Sequence, residues 1–245
     1  METKNDNIHA QNKKNAKKNG KIGGLFSTFL VLLVIVFTFL RTPQQITEML
    51  VEVTSNLQTY FMVNHIIMIL SIILGILFSK FRNQIFFSFI LYLSLSATVI
   101  SAIFVIIPNI IIFGLISCLL ILAYRQKKLH FTFKNLKILD IIFGLIGIFF
   151  GFWYLHWVED PVWLNAILYS PLGGVNCPTL VAISGFICFT KKPRFNILEI
   201  TLGALTLYFG IFGIFRLQAY IDIVLVLCGG YLLLRNTSRF VGLSS

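Results

Sequence analysis

Long apolar runs alternate with short polar gaps along this chain, and 18 of its 20 Lys and Arg residues fall in every second gap. An apolar helix of about 20 residues crosses the roughly 30 Å hydrocarbon core of a bilayer. Runs of that kind lie at 24–40, 61–79, 85–106, 108–124, 138–157, 197–215 and 219–234, with a shorter one at 178–190. The basic residues occupy 1–23, 80–84, 125–137, 191–196 and 235–245, and only Arg41 and Arg216 lie in the intervening gaps. Positive charge is retained on the cytoplasmic side of a membrane, so the alternation reports orientation as well as residence. It predicts an all-α, polytopic integral membrane bundle of about eight transmembrane helices, in the inner (plasma) membrane with both termini cytoplasmic.

Three regions follow. Residues 1–23 read as a disordered basic tail, 24–234 as a single transmembrane helical domain, and 235–245 as a cytoplasmic tail. The first run lacks a small-residue cleavage site and is longer than a signal-peptide core, so it reads as a retained anchor. The composition agrees: 57% of residues are hydrophobic and 12% charged, about half the charge of a typical soluble domain. A net charge of +11 comes without aromatic–basic interleaving. It is assigned to loops facing anionic headgroups of the lipid bilayer, and nucleic acid is not an expected partner. A homo-oligomer is compatible with this composition.

Between the first two runs, 41–60 is amphipathic, with Ile46, Leu50 and Val53 on one helical face and Glu48 and Glu52 on another. Such a helix is expected to lie along the outer surface. Ile107-Pro108-Asn109 is expected to form a tight hairpin. No internal repeat is visible, so an inverted-repeat transporter is not supported.

The segment Ser170-Pro171-Leu172-Gly173-Gly174-Val175-Asn176-Cys177-Pro178-Thr179 breaks the pattern. The 12 residues from Pro178 to Phe189 make a helix of only about 18 Å. If Lys191 and Lys192 anchor its inner end, the glycine-rich stretch before it dips into the membrane. Backbone of that kind survives only where protein or a water-filled cavity satisfies it. Trp163–Tyr169 is placed to complete a broken or re-entrant element. Pro178 suits a helix first turn and Asn176 is expected to cap it. Gly173, Gly174 and Pro178 are therefore assigned structural roles. Amide donors at this helix start would favour an anion or a thiolate, and Cys177 is a candidate soft-metal ligand. The plainer reading is capping chemistry around an inert buried thiol.

His65, His156 and Asp222 also fall near the outer ends of their runs, and with Asn176, Cys177 and Thr179 they form the candidate substrate-binding set. Asp140, Glu199 and Asp222 each begin a helix, where the backbone dipole favours acidic groups. Asn196-Ile197-Leu198-Glu199 has capping-box spacing, so Asp140 and Glu199 are expected to cap. Trp153, Trp157 and Trp163 fit an interfacial aromatic belt. Gly203, Gly210, Gly213 and Gly229-Gly230 fit close helix packing. The four cysteines have neither disulfide nor zinc spacing.

Gly174-Val175-Asn176-Cys177-Pro178-Thr179 resembles the GV-x-x-CPT signature of an uncharacterised prokaryotic family of multi-pass membrane proteins, a domain of unknown function. The resemblance extends to Ile107-Pro108-Asn109 leading a run with Phe113-Gly114, and covers roughly 60–200 and the closing pair of runs. This chain has one residue fewer between Val175 and Cys177 and carries an additional N-terminal anchor. The resemblance implies the membrane fold and no activity.

Three function classes follow. A transport-type protein would bind a small ion or solute in an outward-facing site near Cys177. A non-transporting sensor, scaffold or protective protein would use the Cys-Pro break only structurally. A membrane enzyme would use Cys177 as nucleophile or redox thiol with His65 or His156 as base. No nucleotide loop, metalloprotease helix or hydrolase elbow is present. The transport class is preferred over an enzyme, with no catalytic residue assigned and no cofactor expected.

Overall fold

The structure, a computed structural model, describes residues 28–154 and 163–237. The N-terminal tail, most of the C-terminal tail, His156 and Trp157 lie outside the described residues. The described chain is helical: α1 (Thr28–Phe39), α2 (Pro43–Asn56), α3 (Gln58–Leu77), α4 (Arg82–Ile103), α5 (Ile107–Arg125), α6 (Ile138–Phe152), α7 (Trp163–Tyr169), α8 (Asn176–Cys188), α9 (Asn196–Leu217) and α10 (Ile223–Thr237). A single 3-10 turn, Tyr220–Asp222, precedes α10.

Among the described residues four helices, α3, α4, α5 and α9, are long and apolar enough to cross a membrane, and a fifth span is added only if α1 and α2, bent by 99°, count as one broken element. α6 and α8 are apolar but shorter. The outer faces match this reading. Ile66, Ile69, Leu70, Ile73 and Leu77 stand exposed along α3, and Leu139, Ile142, Leu145 and Phe149 along α6. A soluble protein would bury such stripes, whereas hydrocarbon solvates them.

The bend between α1 and α2 begins at Thr42, whose side chain accepts the Gln45 amide while Gln45 bonds back to the Thr42 amide. This capping box fixes the start of α2. α2 buries Ile46, Leu50 and Val53, the face anticipated from the spacing, together with Thr54.

α8 is the centre of the bundle: every residue from Cys177 to Cys188 is buried, enclosed by α4, α6, α9 and α10. It approaches α6 closely enough that a Cβ on Gly147 would lie 2.7 Å from the Gly185 Cα. α9 and α10 meet in the same way, a Cβ on Gly229 falling 2.5 Å from the Leu207 amide. Gly230 faces open space and takes no part in this contact.

Two expected turns differ. The hairpin between α4 and α5 lies at 104–106, with Val105 left-handed at φ 54°, and Pro108 sits inside the first turn of α5. Proline fits there because that amide has no helical partner to lose. Asn109 is therefore a buried helical residue. Likewise α8 begins at Asn176, is preceded by extended Val175, and has no side-chain cap; Asn176 does not cap it.

Candidate functional site

The loop joining α7 to α8 is buried throughout, from Ser170 to Val175, and protein groups hold much of its backbone. Asn64 Nδ2 on α3 donates to the Leu172 carbonyl at 2.7 Å, and Ser96 Oγ on α4 donates to the Gly173 carbonyl at 2.5 Å. Tyr92 donates to Asn64 Oδ1 at 2.6 Å, and Tyr60 meets both Tyr92 and Ser96. From the other side, Thr179 Oγ1 accepts the Gly173 amide at 2.8 Å and donates to the Val175 carbonyl at 2.6 Å. Gly173 is left-handed at φ 76°, and a Cβ there would stand 2.9 Å from Asn64 Nδ2. The loop has one shape because α3, α4 and the first turn of α8 all hold it.

This loop delivers Asn176 and Cys177 to the floor of a pocket between α1, α2, α5, α8 and α9. The Cys177 thiol is 3.6 Å from Asn176 Oδ1 and donates to Asp222 Oδ2 at 3.9 Å. Asp222 Oδ1 also accepts the Tyr154 hydroxyl. Asp222 and Tyr154 are buried with Cys177. Asp222 fits because Gly213 presents no side chain: a Cβ there would overlap Asp222 Oδ2. The two donors offset part of the cost of burying the Asp222 carboxyl group.

The pocket above this cluster is largely apolar, walled by Phe37, Ile46, Leu50, Phe209 and Phe212, with a volume of about 50 Å³. That is room for a few water-sized groups. Arg41 lies at its edge, held by Met49 Sδ at 2.8 Å and the Val105 carbonyl at 3.2 Å. Arg216 in turn donates to the Arg41 carbonyl at 3.2 Å and lies over the Phe39 and Phe212 rings. The two cations that depart from the charge alternation thus clasp the α1–α2 bend to α9 and the α4–α5 turn.

Of the six candidate residues, Asn176, Cys177 and Asp222 come together. Thr179 secures the loop. His65 belongs elsewhere: its ring stacks on Phe152 at 5.4 Å, and Nδ1 lies 3.2 Å from the Leu168 carbonyl. His156 lies outside the described residues. Among the described residues no histidine is bonded to Cys177; its bonded neighbours there include Asn176 and Asp222. No group of three or more His, Cys, Asp or Glu converges among the described residues. Tyr154 was not among the candidates, because nothing in its spacing separates it from the aromatic belt around it.

The other two carboxylates do not cap their helices. α6 and α9 have no side-chain cap. Asp140 and Glu199 instead converge with α10: Arg235 Nε lies 2.9 Å from Asp140 Oδ1, and Arg235 Nη1 3.8 Å from Glu199 Oε1. Arg194 stands 3.7 Å from Glu199, while Tyr231 and Asn236 donate to Asp140 and Glu199 at 2.6 and 2.8 Å. The pairing overrides local capping because charges this deep are stabilised only by a paired, hydrogen-bonded partner. Arg235 also donates to the Ile187 and Thr190 carbonyls at 2.9 and 2.6 Å, closing the end of α8.

Comparisons with family models, with curated proteins and with solved structures returned no match.

Proposed function

We propose that the protein is a multi-pass inner-membrane protein of transport type, binding a small solute in the pocket floored by Asn176 and Cys177. The observation that carries this reading is the polar cluster of Cys177, Asp222 and Tyr154 beneath a narrow apolar pocket with Arg41 at its edge. A purely structural break would require the Thr179 and Ser96 bonds that hold the loop; it would not require a thiol that lines a cavity and bonds behind it to a buried aspartate. The apolar walls favour a small, largely apolar solute with one polar end over a hydrated ion, whose shell those walls cannot replace.

The threading belongs to the same proposal. The division of Lys and Arg supports eight crossings with both termini cytoplasmic, α7, the buried loop and α8 together forming one broken span. On that threading the pocket opens to the outer face. The GV-x-x-CPT likeness adds a family of the same membrane type and no substrate.

The test is uptake of a panel of labelled small neutral and zwitterionic solutes into proteoliposomes holding the purified protein. Met49→Trp fills the pocket from a half-buried position on α2. At least one solute should enter faster than into protein-free liposomes, and the variant should lose at least about tenfold of that rate at unchanged folded yield. Equal rates for protein-free, wild-type and Met49→Trp liposomes across the panel would leave the sensor or scaffold reading standing.

A further inference from the structure

At the opposite end of the bundle from the Cys177 pocket, a cavity of about 250 Å³ opens between α6, the α8–α9 loop and α10. Four cations from three separate elements line it: Lys137 before α6, Lys192 and Arg194 in the loop, and Arg235 on α10. The carboxylates nearest to it, Asp140 and Glu199, are 3% and 2% exposed and are engaged by Arg235, Arg194, Tyr231 and Asn236. They neutralise the floor and leave the rim positive. Lys137 and Lys192 are exposed, and none of the ion pairs among the described residues includes either. Two ammonium groups so placed around a concave, charge-balanced floor make a site for an anion, not merely a solvated basic face.

The apolar part of the lining narrows the ligand. Leu139 and Leu234 line the same cavity and are 49% and 69% exposed. They continue the lipid-facing surface of α6 and α10 straight to the lysines. An anion held here therefore has hydrocarbon beside it. We infer that this cleft binds a phosphate group through Lys137 and Lys192, most favourably the phosphodiester of an anionic phospholipid whose chains run along Leu139 and Leu234. A free phosphate monoester shares the charge chemistry but not the apolar contact. Basic pockets between helices at the membrane edge are a recurrent form of lipid-headgroup recognition.

The test is thermal denaturation of the full chain in phosphatidylcholine micelles, with phosphatidylglycerol or inorganic phosphate added in separate arms. Phosphatidylglycerol should raise the wild-type Tm by about 5 °C or more, the scale expected for a saturating ligand on a chain of this size. The double variant Lys137→Ala/Lys192→Ala should match wild type in phosphatidylcholine alone and lose the shift. Lys137→Arg/Lys192→Arg should recover it. Lys127→Ala/Lys134→Ala, removing two exposed charges from the neighbouring loop, should keep it. Should inorganic phosphate alone give the lysine-dependent shift, the site holds and its ligand is the free anion. No shift in either arm, or a shift the Lys137/Lys192 double variant retains, overturns the proposal.

Discussion

Replacing Arg235 with Met tests whether the α6–α9–α10 cluster is a unit. The Arg235 side chain is 4% exposed and lies 2.9 Å from Asp140, with two further bonds to the carbonyls that end α8. Methionine keeps most of the volume and removes the charge. Asp140 then loses its ion-pair partner and keeps the Tyr231 hydroxyl, while Glu199 keeps Arg194, at 3.7 Å, and the Asn236 amide. Breaking a buried pair by deleting one member costs about 3–5 kcal/mol, since the other charge stays desolvated. On a chain of this length that lowers Tm on the order of 10 °C. The measurement is thermal or SDS-induced unfolding of the purified protein in one fixed detergent. Neutralising the stranded groups in the triple variant Arg235→Met/Asp140→Asn/Glu199→Gln should recover part of the loss, because the stranded charge and not the missing bonds dominates it. A loss under about 1 kcal/mol for the single variant, or a triple variant no more stable than the single, refutes the argument.

Gly173→Ala should lower the folded, monodisperse yield, the left-handed backbone costing about 1–2 kcal/mol before the contact with Asn64 is counted, whereas Gly230→Ala should leave the yield unchanged. Tyr154→Phe removes a donor from buried Asp222 and should destabilise by about 1–3 kcal/mol in the same unfolding assay; no change would mean that the carboxylate finds another partner. Cys177→Ser keeps a donor toward Asp222 and should fold to wild-type yield, and peptide mapping by mass spectrometry should show that Cys177 in wild type takes up N-ethylmaleimide while Met49→Trp slows that reaction.

Helix positions were legible because apolar runs and the charged gaps between them are local signals. The amphipathic face of α2 was legible for the same reason: Ile46, Leu50 and Val53 are a property of spacing alone. The glycine-rich break was also visible, since Gly173, Gly174 and Pro178 punish a continuous helix. What escaped was every role decided by a distant partner. Asp140 and Glu199 obey the first-turn preference and yet pair across 95 and 36 residues with Arg235. Arg235 itself read as one more basic residue after the last run. Tyr154 is separated from Asp222 by 68 residues, and Asn64, Tyr92 and Ser96 carry no mark that they hold the loop. Near-uniform hydrophobicity hides which face of each helix is inside, so the lipid-facing and core-facing residues cannot be sorted by polarity.

The complete enclosure of α8 sets an order of assembly. Synthesis delivers α4 and α6 before it and α9 and α10 after it, so a 13-residue helix first meets a half-built groove whose remaining walls do not yet exist. Two of the anchors for its leading loop, Asn64 and Ser96, are already waiting, and the Gly147–Gly185 contact can close at once. The trailing end is met by the 130–132 segment, where the Thr132 amide donates to the Phe189 carbonyl at 2.8 Å and the Lys191 amide to the His130 carbonyl at 2.9 Å; its last clamp, Arg235 on the Ile187 and Thr190 carbonyls, comes only with α10. Newborn α8 is thus tethered at both ends, but two of its walls and the Arg235 clamp are still to come. Truncation before α10 should therefore loosen the α8 C-terminus, which loses the Arg235 clamp, more than the glycine loop, and protease sensitivity of the two ends reads the difference.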